Sequence, residues 1–248
     1  MEKNYWEKMA PKYEIEIFDV LKNDKNGKIV KSIRKIAGPK KTVIDIGCAV
    51  GKWMPVLSPL FTKVHAIDIS AKNLKIAAAK YSKFKNISYE RVDMSATSVR
   101  KQEHDAAICI NAILTANLKK RNLFFKHISS FIKKGGDLIL VVPSLESKLY
   151  THIIAGKYNV DDAKNDLAPS GKRAIQQIRF MKDGVTDIDD VPTKHFLKEE
   201  LELLLSLEGF KVEKIKKINY EWSTEFHKVP NWLKDPKPWD WLVVAKKK

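Results

Sequence analysis

A chain of 248 residues with 44% hydrophobic residues can build one large domain, or one domain with a cap. No apolar run approaches the ~18 residues of a membrane span, and residues 1–6 lack the apolar core of a secretory signal. The net charge of +16 invites a nucleic-acid partner, yet 40 of the 46 basic residues are lysine, and arginine is the residue that reads phosphates and bases bidentately. The lysines are also spread along the whole chain, as on a solvated surface. Cys48 and Cys109 have no metal-ligand spacing, and each falls in or beside a predicted buried strand. The expectation is a reduced, cytoplasmic setting with no metal and no membrane partner.

Strands alternate with helical segments, which predicts a parallel sheet covered on both faces. Residues 5–21 have a helical apolar pattern that Pro11 splits into two shorter pieces. Residues 28–36 read as a helix, 42–46 as strand one, 52–61 as a helix, and 64–67 as strand two. Ser70 is a plausible N-cap for a helix through Tyr81. Strand three is placed at 87–92 and strand four at 106–110, followed by a long amphipathic helix over 118–132. Gly135-Gly136 turns the chain into strand five at 137–142. The pattern then changes. Residues 144–194 are polar and aperiodic, with a hairpin expected over 179–186 around an Asp183-Gly184 turn, and they read as an inserted cap. Regularity returns with a helix at 198–207, strand six at 210–218 and strand seven at 239–245. The domains are therefore a core of 1–143 plus 195–248, and a cap of 144–194.

The chemistry centres on Asp45-Ile46-Gly47-Cys48-Ala49-Val50-Gly51, an apolar strand that ends in an acid and opens into a glycine turn. Ligands of open α/β sheets bind at the carboxyl ends of the strands. Asp68 ends the next apolar run, 23 residues after Asp45, where an acid can bind the two hydroxyls of a ribose. Asp93-Met94 follows strand three and Asn111 ends strand four. The glycine turn lacks the G-x-G-x-x-G spacing of a nicotinamide dehydrogenase.

Taken in order, this set resembles the class I S-adenosylmethionine-dependent methyltransferases. Their motif I corresponds to Asp45 through Gly51, with Ala49 where a glycine is usual. Residues 5–13, Asp68-Ile69, the turn at 131–138 and the segment 195–210 are similar to further parts of that family. The resemblance implies an α/β, Rossmann-like, seven-stranded, mostly parallel sheet with an antiparallel last strand and helices on both faces. It implies S-adenosylmethionine as cofactor and S-adenosylhomocysteine as product. The cofactor-binding residues would be Tyr13, Asp45, Gly47, Cys48, Ala49, Gly51, Asp68, Ile69, Asp93, Met94 and Asn111. In detail, Asp68 would hold the ribose, Ile69 the adenine face, and Asp93 with Met94 the adenine edge. Asn111 would lie near the sulfonium, and Tyr13 would close over the methionyl part. His195, between cap and last helix, is the candidate general base. The expected acceptor is a small molecule, with RNA the alternative because of the basic surface. The aromatic turn through Tyr220, Trp222, Phe226 and Trp232 reads either as a local mini-core or as part of the acceptor wall.

Overall fold

A computed structural model of the protein describes residues 3–158, 170–188 and 191–248. The N-terminal segment forms α1 (Lys3–Met9), a 3-10 turn at Ala10–Lys12, α2 (Tyr13–Glu16) and α3 (Val20–Asn23). Pro11 breaks the run as expected, because it cannot supply an amide to an uninterrupted helix. In α4 (Lys28–Ile36) the buried residues are Ile29, Ile33 and Ile36, a stripe at helical spacing. Burying each isoleucine contributes roughly 1.5–3 kcal/mol.

The alternation then runs β1 (Gly38–Ile46), α5 (Met54–Leu57), β2 (Phe61–Asp68), α6 (Ala71–Lys80), β3 (Ile87–Arg91), β4 (His104–Ile110), α7 (Leu118–Ser130) and β5 (Ile132–Pro143). It continues with α8 (Leu145–Tyr158), α9 (Ser170–Phe180), β6 (Val185–Ile188), β7 (Val191–Lys194), α10 (Lys198–Leu207), β8 (Phe210–Asn219) and β9 (Trp239–Lys247). Seven strands form one sheet in the order β3-β2-β1-β4-β5-β9-β8. The first five pair in parallel, and β9 pairs antiparallel with both β5 and β8. This is the expected Rossmann-like arrangement.

Alternate residues of the central strands face opposite layers. Ile44, Ile46, Leu138 and Leu140 pack with Phe125 and Ile128 of α7 and Leu201 and Leu205 of α10. Val43, Ile108, Ile139 and Val141 pack instead with α4, with Met54 and Leu57 of α5, and with Leu74 of α6. Burial on both faces explains why these strands read as continuous apolar runs.

Several sequence expectations need correction. The helix over 52–61 is confined to Met54–Leu57, and Phe61 opens β2, in register with Gly38. Pro59 explains the early stop, since it has no amide hydrogen with which to continue the helical ladder after Ser58. Strand five begins at Ile132, and Gly135-Gly136 sits in an irregularity of its pairing with β4 rather than before it. The stretch expected to be aperiodic contains α8, α9 and the β6–β7 hairpin, although 159–169 and 189–190 of it lie outside the described residues. Helix α8 was hidden because its buried face includes Ser147, Thr151 and His152, which blur a hydrophobic period. The Asp183-Gly184 turn is present, with φ of 52° and 64°, but Arg179 and Phe180 before it are helical. The paired arms are Val185–Ile188 and Val191–Lys194.

The segment 144–194 is tied down at several points. Leu145 N donates to Phe196 O at 2.9 Å and Lys194 N to Leu114 O at 3.0 Å. Arg121, 3% exposed, pairs with Asp183 in the turn before β6. Ile154, Ala155 and Ala174 share a small core with Trp222, Phe226 and Leu233. Trp222 and Phe226 of the aromatic turn thus form a mini-core that joins it to α8 and α9, whereas Tyr220 packs in another layer and Trp232 is exposed. Among the described residues no helix is long and apolar enough to cross a membrane.

Candidate active site

The parallel strands deliver their carboxyl ends to one edge, and the antiparallel β9 begins at that same edge. Pro143, the last residue of β5, is in register with Asp240, the second residue of β9. Strand β8 also ends there, at Asn219, followed by Tyr220. Gly47, Asp68, Asp93, Asn111, Ser144, Tyr220 and Asp240 thus gather at one edge through topology alone.

The turn after β1 is tightly specified. Gly47 N and Cys48 N both donate to Ile67 O at 2.9 Å, which locks the turn to β2. Gly47 has φ of 74°, and a Cβ there would lie 2.4 Å from the Ala112 Cβ. The contact that demands this glycine is therefore the loop after β4. Ala49 also lies in the left-handed region at φ 49°, a strained setting for a residue with a Cβ. A carboxylate compensates: Ala49 N donates to Asp68 Oδ2 at 2.9 Å.

Asp68 has a second structural partner, since its Oδ1 accepts from Ser70 N at 2.8 Å. Asn73 Nδ2 reaches the same oxygen at 3.4 Å. Ser70 caps α6 by accepting from Asn73 N at 3.1 Å. A carboxylate offers about four lone-pair sites, so Asp68 keeps capacity for a ligand hydroxyl. Burial raises its pKa, while the amides of Ser70 and Ala49 oppose the rise. Asp45 is 2% exposed, and its Oδ2 has no hydrogen-bond partner among the described residues. Burial, reinforced by the charge of Asp68, pushes its pKa up to about 7. Such a group is poised to ionise against an arriving cation.

Two cavities meet along this edge. The smaller, about 90 Å³, is lined by Asp68, Ile69, Asp93, Met94 and Asn73 among others. The larger, about 250 Å³, is lined by Asp45, Cys48, Lys52, Ser147, His195 and Asp240 among others. Trp6, Tyr13, Gly47, Ala49 and Asn111 border both, so the two form one trough. The N-terminal aromatics lie over the junction, with Trp6 and Tyr13 ring centres 6.3 Å apart. Glu7 holds α1 in place by accepting from Ala71 N at 2.8 Å. Burial, then the charge of Asp68, raises the Tyr13 phenol, so it stays protonated. Lys52 Nζ lies 5.7 Å from the Tyr13 ring centre and pairs with Asp19 at 2.7 Å.

The predicted residues therefore separate by role. Ile69, Asp93 and Met94 line the smaller cavity with Asp68. Asp93 Oδ1 accepts from Ser95 N at 2.8 Å, which shapes its loop. Gly51 lines neither cavity; a Cβ there would meet the Tyr81 ring at 3.0 Å, so its role is packing against α6. Cys48 borders the larger cavity, with a thiol that burial raises well above its ordinary value. Asn111 has φ of 48° and donates from Nδ2 to Asp240 Oδ2 at 3.0 Å, leaving Oδ1 without a partner. His195 is 3% exposed and borders the larger cavity, with Nδ1 at 3.1 Å from Thr193 O. That contact assigns the proton to Nδ1 and leaves Nε2 with its lone pair. Burial, then the charge of Lys148, lowers its pKa to about 3, so the ring is neutral. His65 lies within β2, away from both cavities, with its ring between His104 at 3.3 Å and Glu90 at 3.0 Å.

Sequence reasoning missed Asp240, Asn73 and the Lys52–Asp19 pair. For Asp240 a signal existed: an antiparallel last strand must start at the ligand edge. For Asn73 the signal was its place three residues after the cap. Nothing in the sequence links Asp19 to Lys52.

Fold and sequence agree on the class. Residues 43–136 match the family model described as a methyltransferase domain. Over that stretch the chain is similar to S-adenosylmethionine-dependent methyltransferases. It is 32% identical over 115 residues to a probable S-adenosylmethionine-dependent methyltransferase of Saccharomyces cerevisiae, covering 44% of this chain and 38% of that one. It is 27% identical over 128 residues to a ubiquinone biosynthesis O-methyltransferase of Pelagibacter ubique, covering 50% of this chain and 52% of the other. The matches thus span about half or less of these relatives. A solved S-adenosylmethionine-dependent methyltransferase of Anabaena variabilis superposes with a TM-score of 0.66 at 17% identity, covering 99% of this chain and 95% of that one.

Proposed function

We propose that the protein is an S-adenosylmethionine-dependent methyltransferase acting on a small-molecule acceptor. The observation that carries this reading is the continuous trough. It runs from Asp68 and Asp93, past the orphaned buried carboxyl oxygen of Asp45, into a larger cavity walled by α8 and the start of β9. Asp68 holds the ribose, while Ile69, Asp93 and Met94 border the adenine. Asp45 faces the methionyl ammonium, and Tyr13 covers that end.

When bound, the cofactor supplies a methyl group already activated by its sulfonium. The chain's work is then mainly positioning, which can supply on the order of 7–11 kcal/mol at best. Asn111, held by Asp240, sets the wall between cofactor and acceptor. His195, neutral and weakly basic, offers Nε2 as a hydrogen-bond acceptor at the acceptor end. The segment 144–194 acts as the acceptor cap, with Ser147, Lys148 and Thr151 of α8 and Gln177 of α9 bordering the larger cavity. Two buried free cysteines suit a reducing, cytoplasmic setting.

A small acceptor is favoured over RNA by the lining of that cavity. Among the described residues it carries Asp19, Asp45, Asp187, Glu225 and Asp240 against Lys52 and Lys148. A phosphate backbone needs the reverse balance. Label transfer from methyl-labelled S-adenosylmethionine into small-molecule extracts and into total RNA tests the reading. Salt-insensitive labelling of the small-molecule fraction is expected. Labelling of RNA alone, falling steeply with salt, would overturn it.

A further inference from the structure

The acceptor end departs from the rest of the molecule in charge. The chain carries +16 overall, yet among the described residues this cavity is bordered by five carboxyl groups and two lysines. Lys52 and Asp19 pair with each other at 2.7 Å, which leaves four carboxyl groups against Lys148. The walls are also aromatic, with Phe18 and Tyr220 in edge-to-face contact at 4.7 Å and Trp53 and Trp239 among the lining residues. Aromatic faces beside carboxylates attract a cation twice over.

Asp240 is the carboxyl group set beside Asn111. It is 9% exposed, and its Oδ2 accepts from Asn111 Nδ2 and from Tyr220 Oη, each at 3.0 Å. Both described donors fall on one oxygen, so Oδ1 is the oxygen left to serve the cavity. Three elements fix this geometry: the end of β4, the end of β8 and the start of β9. Asn111 Oδ1 beside it has no hydrogen-bond partner among the described residues, and neither has Nε1 of Trp239, another residue of the cavity lining.

We infer that the acceptor is a protonated amine on a small aromatic or apolar scaffold, and that Asp240 binds the ammonium and takes its proton. The inference rests on the proposed methyltransferase reading and names its substrate class. The step balances. One proton passes from R–NH3+ to the Asp240 carboxylate. The freed nitrogen pair forms the new N–C bond while the methyl–sulfur bond breaks, its electron pair staying on sulfur. The product leaves as R–NH2+–CH3. The groups facing Asp240 suit that exchange. Tyr220 and Asn111 stabilise the carboxylate by hydrogen bonds, and the Glu225 charge disfavours it. Asp45 and Asp187 add negative charge elsewhere around the cavity, while Lys148 and the neutral His195 complete its polar lining. Burial is the largest influence and pushes Asp240 up to about 7, nearer to an amine than an ordinary carboxylate.

The test uses the full chain saturated with S-adenosylhomocysteine and three probes of similar shape: 2-phenylethylamine, 2-phenylethanol and 3-phenylpropionate. Calorimetry at pH 7.5 should show the amine bound at least tenfold more tightly than either analogue. Asp240→Asn should erase that preference while S-adenosylhomocysteine affinity stays within about twofold. Tyr220→Phe removes one donor to the carboxylate and should move the amine's pH dependence upward without touching the alcohol's. It also keeps the test decisive should Asp240→Asn not fold. Equal binding of the alcohol or the acid, no binding of the amine, or a preference that survives in Asp240→Asn would overturn the inference. Failure of S-adenosylhomocysteine itself to bind would remove the methyltransferase reading and this inference with it. Normal binding with no amine preference would remove this inference alone.

Discussion

The two ends of the trough are built in different ways. The proposed adenosine end comes from turns that follow three consecutive parallel strands. Each of its carboxylates is anchored by amides close in sequence, as Asp68 is by Ser70 and Asp93 by Ser95. The acceptor end is assembled from residues far apart, as Asn111 and Asp240 are, with contributions from α8 and the N-terminal helices. The first end is a local motif repeated along the chain. The second is created only when the sheet closes with β9. The part of the acceptor end formed by Asp240 and α8 can vary without touching Asp68 or Asp93, whereas Trp6, Tyr13, Gly47, Ala49 and Asn111 border both cavities.

Removing the anchor of the local end should have the largest effect. Asp68→Ala deletes the proposed ribose acceptor and also strands the buried Ala49 and Ser70 amides. Affinity for S-adenosylhomocysteine should fall at least hundredfold, and stability by about 1–3 kcal/mol. Titration calorimetry and urea unfolding read the two losses separately. Unchanged affinity would mean that the cofactor lies elsewhere.

Asp45→Asn is expected to show a pH signature. The folded chain holds this proton up to about pH 7, against an ordinary value of 3.8. Below the lower value both folded and unfolded chains are protonated, and nothing is lost. Between the two values the unfolded chain ionises first, so stability falls as pH rises, and above about 7 the loss is complete. Asparagine cannot ionise, so the variant should gain on wild type through that window by about 2–4 kcal/mol. His104, His152 and His195, which burial lowers to about 4, 3 and 3, tilt the wild-type curve the other way in acid. The difference between variant and wild type is therefore the readout. A flat difference from pH 4 to 8 contradicts the assignment.

A packing test sharpens the local end further. Gly47→Ala should cost about 1–3 kcal/mol, through its positive φ and the close approach to Ala112. Ala112→Gly should restore part of that loss, because only the contact is relieved. If the double variant is no better than the single one, backbone conformation alone demands the glycine.

The smallest effect is expected at the distant end. Trp222→Ala opens the small core that joins the aromatic turn to α8 and α9. It should leave S-adenosylhomocysteine affinity within about threefold while speeding amide exchange in α8. Exchange in α8 as slow as in β1 and β4, in both proteins, would make the segment 144–194 a fixed layer rather than a closing cap.

What could be read from the sequence follows the same division. Asp45, Asp68, Asp93 and Asn111 stand at the ends of apolar runs, so one rule about strand ends located them. The sheet was legible because its central strands are apolar on both faces. Helix α8 was not, since Ser147, Thr151 and His152 are buried by contacts with distant residues; Trp239 N, for example, donates to Ser147 Oγ at 2.8 Å. Asp240 sits between two tryptophans in an unremarkable strand start, and its partners Asn111 and Tyr220 arrive only through the fold. The purpose of Gly47 was legible only in part, because Ala112 touches it across the sheet edge.

The account turns on the trough being a site for S-adenosylmethionine. Calorimetric titration of the purified chain with S-adenosylmethionine, S-adenosylhomocysteine and NAD tests this most directly. The account predicts one-to-one binding of the first two, with no detectable binding of NAD. It also predicts proton release near pH 6.5 with S-adenosylmethionine, as the ligand cation ionises Asp45. Binding of NAD alone, or S-adenosylmethionine binding that survives Asp68→Ala undiminished, would contradict it.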